Sequence, residues 1–76
     1  MSQNIEQLVD LRKLTFTGQA RTIRQAAGLT VSEVANALAI NPSTVWRWEN
    51  AKRSPKGERA LEYYWLLQRI GRAMSR

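Results

Sequence analysis

The sequence predicts an all-α fold, a compact bundle of about five helices, and three observations carry that expectation. No stretch alternates polar and apolar residues for long enough to make a half-buried strand. Apolar residues recur instead at helical spacing between strong start signals, among them Thr30-x-x-Glu33, Asn41-Pro42 and Ser54-Pro55. The chain has 76 residues and no cysteine, so one small core must form without disulfides.

The elements follow in order. Asn4 with Gln7 has the form of a capping box ahead of IEQLVDLRKL, where Ile5, Leu8 and Val9 share a face. Residues 1–15 are therefore expected to form an N-terminal accessory helix. Phe16, Ala20, Ile23 and Ala27 fall at i, i+4, i+7 and i+11, one stripe of a second helix. Gly28 suits the left-handed position that ends it.

Thr30 and Glu33 form a capping box that opens a short helix carrying Val34, Ala35 and Leu38. Asn41 is the next N-cap, followed by Pro42 at the first helical position, where a missing N–H costs nothing. About three residues separate these two helices, and a turn that short forces them to cross steeply. The pair is a helix-turn-helix inside a domain of residues 16–70.

Ser54-Pro55 repeats the cap-plus-proline signal ahead of a last helix from about residue 56 to 70. Residues 71–76, GRAMSR, are expected to be a flexible tail. In the last helix Ala60, Leu61, Tyr64 and Leu67 are assigned to the core. Tyr63, Leu66 and Ile70 make a second face, with Trp65 between the two. A helix apolar on two sides must bury the second against something. Either the N-terminal helix covers it, or a second subunit does, giving a homodimer through Tyr63, Trp65, Leu66, Ile70 or the N-terminal helix.

Composition narrows the function. Without histidine or cysteine, the commonest general base and metal ligands are missing, so no catalytic residue, metal or cofactor is expected. No apolar run approaches the roughly 20 residues that span a bilayer, so no membrane partner is expected. MSQNIEQLVD lacks the layout of a signal peptide, which points to an intracellular, cytoplasmic chain. Twelve Lys/Arg against six Asp/Glu give a net charge of +6. Such an excess is either the footprint of nucleic-acid binding or a merely solvated basic surface. Residues 21–59 hold seven basic and three acidic side chains, so most of the charge surrounds the helix pair.

The stretch IRQAAGLTVSEVANALAINPSTVWRWENAKRSP, residues 23–55, resembles the Cro/repressor-like (lambda-repressor-like, XRE-type) helix-turn-helix family. The resemblance rests on small Ala35 where two helices touch and on apolar Val34, Leu38, Ile40, Val45 and Trp48. Gly-Leu-Thr before the first helix of the pair, and Trp-Glu followed by a basic loop and proline, complete it. It implies a sequence-specific regulator of transcription that binds double-stranded DNA, with a recognition helix at about residues 42–50 in the major groove. It also suggests a repressor of a phage or mobile element, working near the nucleoid of a bacterial or phage-infected host cell.

The same resemblance implies roles for single residues. Ser43 and Thr44 in the first turn, then Trp46 and Arg47, are the candidates for base contacts. Thr30, Ser32, Asn50, Lys52, Arg53 and Lys56 are the candidates for phosphate contacts, and Arg24 with Glu49 is a structural ion pair. Arg47 reaches either guanine O6 and N7 or a phosphate. Trp46 stands where the family usually has a small polar residue. Its indole meets a thymine methyl or sugar-phosphate, or it lies back on the protein. Pro42 and Val31 also depart from the polar residues common at their places. A competing reading is an antitoxin or adaptor whose outer helices bind a protein partner, through Tyr63, Trp65 and Leu66 or the Ile5/Leu8/Val9 face, with DNA binding for autoregulation.

Overall fold

The computed structural model describes residues 2–75, with side chains from residue 5 onward. Five helices follow one another: α1 (Ser2–Phe16), α2 (Gln19–Ala26), α3 (Val31–Leu38), α4 (Pro42–Glu49) and α5 (Gly57–Met74). Among the described residues there is no strand, and no helix is long and apolar enough to cross a membrane.

Helix α1 packs against α2, α5 and the edge of α4. Leu11 is fully buried, and Leu8 and Leu14 pack against the core beside it. Thr15 joins them because its hydroxyl donates to the Arg12 carbonyl at 3.0 Å, so that hydroxyl is not buried without a partner. Ile5 and Val9 point outward, and only Leu8 of the expected Ile5/Leu8/Val9 face belongs to the core. The expected cap at Asn4 is corrected as well. The helix already begins at Ser2, and the Asn4 side chain lies outside the described residues.

Phe16 closes α1 instead of opening α2, and it is 81% exposed. Gly18 follows at φ 85°, a left-handed conformation that costs glycine nothing, and it reverses the chain within two residues. Ala20 then begins the buried side of α2.

Helices α2, α3 and α4 all end in the paired hydrogen bonds of a Schellman motif. In α2 the Gly28 and Leu29 N–H groups donate to Gln25 and Arg24 carbonyls at 3.0 and 3.1 Å. Ala39 and Ile40 repeat this on Asn36 and Ala35, at 3.1 and 3.0 Å. Ala51 and Lys52 do so on Trp48 and Arg47, at 3.2 and 2.8 Å. The left-handed place belongs to glycine once but to alanine twice, at φ 56° for Ala39 and 55° for Ala51.

Helix α3 packs on α4, and Ala35 between them has no exposed surface. A larger side chain there would push the two helices apart. Val45 and Trp48 hold α4 from inside. The Trp48 ring stacks on Tyr63 of α5, with centroids 5.1 Å apart and planes at 29°.

That contact corrects the expected faces of α5. The buried stripe is Ala60, Tyr63 and Leu67, not Ala60, Leu61, Tyr64 and Leu67. Tyr63 is 1% exposed and offers nothing to a partner, whereas Tyr64 sits half-buried with its hydroxyl donating to Asp10 at 3.3 Å. The start of α5 also differs from expectation. Its N-cap is Lys56, with no side-chain cap bond, and Ser54 caps nothing. Pro55 is a buried loop residue, not the first helical one. At its far end α5 continues through Gly71 to Met74, into the segment expected to be a tail.

Candidate nucleic-acid interface

The N-terminus of α4 is built by local chemistry. The Asn41 side-chain oxygen accepts from the Ser43 backbone N–H at 2.9 Å and from the Ser43 hydroxyl at 2.8 Å. Pro42 at the first position contributes a fixed φ and no stray donor. Because Val45, Trp48 and Glu49 are buried, the helix presents Ser43, Trp46, Arg47 and Asn50 outward at i, i+3, i+4 and i+7.

The four candidates for base contact are not equivalent. Trp46 is 50% exposed, an indole held in solvent on a helix already anchored by another tryptophan. Arg47 is exposed, and no carboxylate of the described residues pairs with it. Ser43 donates its proton to Asn41, so its oxygen is free only to accept. Thr44 is half-buried at the edge of the stripe.

The phosphate candidates lie on three segments around that stripe. At the start of α3, the Thr30 hydroxyl accepts from the Glu33 N–H at 3.0 Å, and the Glu33 carboxylate accepts from the Thr30 N–H at 2.8 Å. Thr30 and Glu33 are thus engaged in the cap, and Glu33 offsets part of the helix-end positive charge. Ser32 is exposed beside them. Asn50 donates its amide to the Trp46 carbonyl at 2.8 Å, closing the end of α4 with one amide proton remaining. Lys52, Arg53 and Lys56 are exposed on the loop from Ala51 to Lys56.

Glu49 is the only acidic residue from position 34 to 57, and the fold removes it from the surface. Its carboxylate accepts from Arg24 Nε at 2.6 Å and from Arg24 Nη2 at 3.0 Å, a two-point pair. The third donor, Arg24 Nη1, reaches the Leu29 carbonyl at 2.8 Å. One guanidinium therefore ties α2, the α2–α3 turn and the end of α4 together. The hydrogen bonding of its guanidinium to Glu49 holds the Arg24 pKa above its ordinary value, against a smaller opposing effect of burial. Tyr63 completes the cluster from α5. Burial, then the Glu49 charge, pushes its phenol well above the usual tyrosine value.

One interaction had no signal in the sequence. Arg12 of α1 donates from Nε to the Pro55 carbonyl at 3.2 Å, across 43 residues. It fixes the basic loop at its far end, as the Lys52 N–H on Arg47 does at the near end. Among the described residues, no group of three or more His, Cys, Asp or Glu gathers to hold a metal.

Two short capped helices that pack on each other, the second exposing Ser43, Trp46 and Arg47 and no carboxylate of the described residues, define a helix-turn-helix module. A family model described as a helix-turn-helix domain matches residues 15–68. The chain belongs to that family, in keeping with its Cro/repressor-like features. No curated protein and no solved structure matches it. The family match begins near the end of α1, so nearly all of that helix precedes it.

Proposed function

We propose that this chain is a sequence-specific regulator of transcription of the Cro/repressor kind, binding double-stranded DNA with α4 in the major groove. The observation that carries the reading is the outward face of α4 and its loop. Ser43, Trp46, Arg47, Lys52 and Arg53 are exposed there while Glu49 is sequestered against Arg24. An exposed helix of this size, with Arg47 on its outward face and Lys52 and Arg53 in the loop after it, fits the roughly 12 Å width of the major groove.

Within this reading Arg47 reads guanine and Trp46 makes apolar contact with a thymine methyl or the adjoining sugar. Thr44 and the Ser43 oxygen meet base edges in the first turn, Ser43 as an acceptor. Lys52, Arg53 and Lys56 hold phosphates on one side, and Ser32 with Thr30 on the other. Two copies, paired through Trp65, Leu66 and Ile70 of α5, occupy two half-sites. Trp65 is 47% exposed, which supports α5 as the second working surface.

Selection of bound duplexes from a random pool, followed by titration of the winner across a salt series, tests the proposal. The expected result is an enriched site of two inverted half-sites about one helical turn apart, with a steep loss of affinity as salt rises. No enrichment, with weak binding indifferent to sequence, overturns it and gives the α5 face to a protein partner instead.

A further inference from the structure

Helix α1 carries a feature that the helix-turn-helix pair does not account for. Its C-terminal half and the loop after α4 together line an open groove of about 390 Å³. Its lining combines apolar Val9, Phe16 and Ala51 with the cations Arg12, Lys13 and Arg53. No carboxylate of the described residues lines the groove. The ion pairs among the described residues, Arg24–Glu49 and Arg59–Glu62, involve none of these cations.

We infer that this groove seats the sugar-phosphate backbone of DNA, with Lys13 and Arg53 gripping one phosphate and Phe16 packing on the deoxyribose. The inference rests on the DNA-binding reading and extends it to a helix that mostly precedes the family match. Arg12 is a positioning residue: its bond to the Pro55 carbonyl ties the loop to α1, and Arg53 of that loop lines the same groove as Lys13.

Charge selects the occupant. Three neighbouring cations repel one another, and a polyanion relieves that repulsion while releasing condensed counterions. A second copy docked by the same groove would set cations against cations, which disfavours a twofold contact here. A phosphodiester offers what the groove lacks, an anion attached to an apolar sugar. The groove also adjoins the loop that carries Lys52 and Arg53, directly after the recognition helix.

The test uses the full chain and the duplex enriched by selection. Lys13 and Phe16 are exposed, so Lys13→Gln and Phe16→Ser leave the fold intact, which thermal melting verifies. Lys13→Gln is expected to reduce the slope of log affinity against log salt by about one unit, with equal loss across operator variants. Phe16→Ser is expected to weaken binding severalfold with the slope unchanged. Arg72→Gln, at the far end of α5, serves as the charge-matched control and leaves the slope as it was. An unchanged slope for Lys13→Gln, or an equal drop for Arg72→Gln, overturns the inference while the DNA-binding reading stands. Wild-type protein whose binding is indifferent to salt overturns the DNA-binding reading itself.

Discussion

At the scale of single residues, the cluster of Arg24, Glu49 and Tyr63 combines a charge pair and a phenol in the core. Desolvating two charges costs several kcal/mol, and the two-point geometry with the Leu29 carbonyl recovers much of it. Removing one partner leaves the other charged and buried. Glu49→Ala is therefore expected to destabilise the fold by about 3–5 kcal/mol. Thermal melting reads this as a fall of well over 10 °C in so small a domain, and an unchanged Tm refutes the structural role of the pair. Tyr63 makes a different prediction. Its buried hydroxyl has no hydrogen-bond partner among the described residues, so Tyr63→Phe is expected to match or exceed wild-type stability at pH 7. The sign with pH follows from linkage. Below about pH 10 neither the folded nor the unfolded chain ionises this phenol. Above it the unfolded chain does, while burial keeps the folded phenol protonated, so stability falls as pH rises. The phenylalanine variant lacks that contribution. Its advantage in urea midpoint is expected to widen between pH 9 and 11, and parallel curves would count against it.

At the scale of elements, what the sequence disclosed depends on how local the determining chemistry is. The caps at Thr30 and Asn41 could be read directly, because each is a bond between residues two or three apart. Trp48 could be placed inside and Trp46 outside for the same reason, once Val45 fixed the inner face. Ser54-Pro55 carries the same signal and means something else, since Arg12 captures the Pro55 carbonyl from a distant helix. The faces of α5 could not be separated by period alone: 60, 63, 67 and 60, 64, 67 both suit a helix. The ring of Trp48 decides between them by stacking on Tyr63. In α1 a threonine occupies a core position where the pattern calls for an apolar residue, so apolar spacing alone does not mark the inward face. Helix endings supply a further prediction. Alanine in the left-handed region costs roughly 1–2 kcal/mol, while a glycine adds about 0.4–1 kcal/mol of unfolded-chain entropy. Ala39→Gly, at φ 56° in the turn between α3 and α4, is therefore expected to raise Tm by a few degrees. A lower Tm would show that the Schellman turn carries no strain.

At the scale of the whole molecule, size bears on how two copies would meet on DNA in the proposed reading. The radius of gyration is 11.4 Å, in line with the roughly 11 Å of a close-packed domain this long, so α1 is integral to the body. The longest dimension is 33 Å, close to the about 34 Å between half-sites one turn apart. In the proposed reading, two copies centred on such half-sites would stand side by side and touch only along a narrow edge. An edge contact buries far less than the 1,200–2,000 Å² of a stable interface, so free protein is expected to be monomeric at micromolar concentration. On DNA that reading would hold the neighbouring copy at high effective concentration, and the same weak contact would then produce cooperativity. Trp65, with Tyr64 edge-on at 5.5 Å to steady it, is the exposed aromatic best placed to supply that contact. Trp65→Ser is thus expected to leave affinity for a single half-site unchanged and to abolish cooperative filling of the double site. Gel shifts on matched one-half-site and two-half-site duplexes separate these effects. Equal cooperativity in the variant would remove α5 from the dimer contact, and reduced affinity for the single half-site would mean that Trp65 acts through the monomer's own grip on DNA.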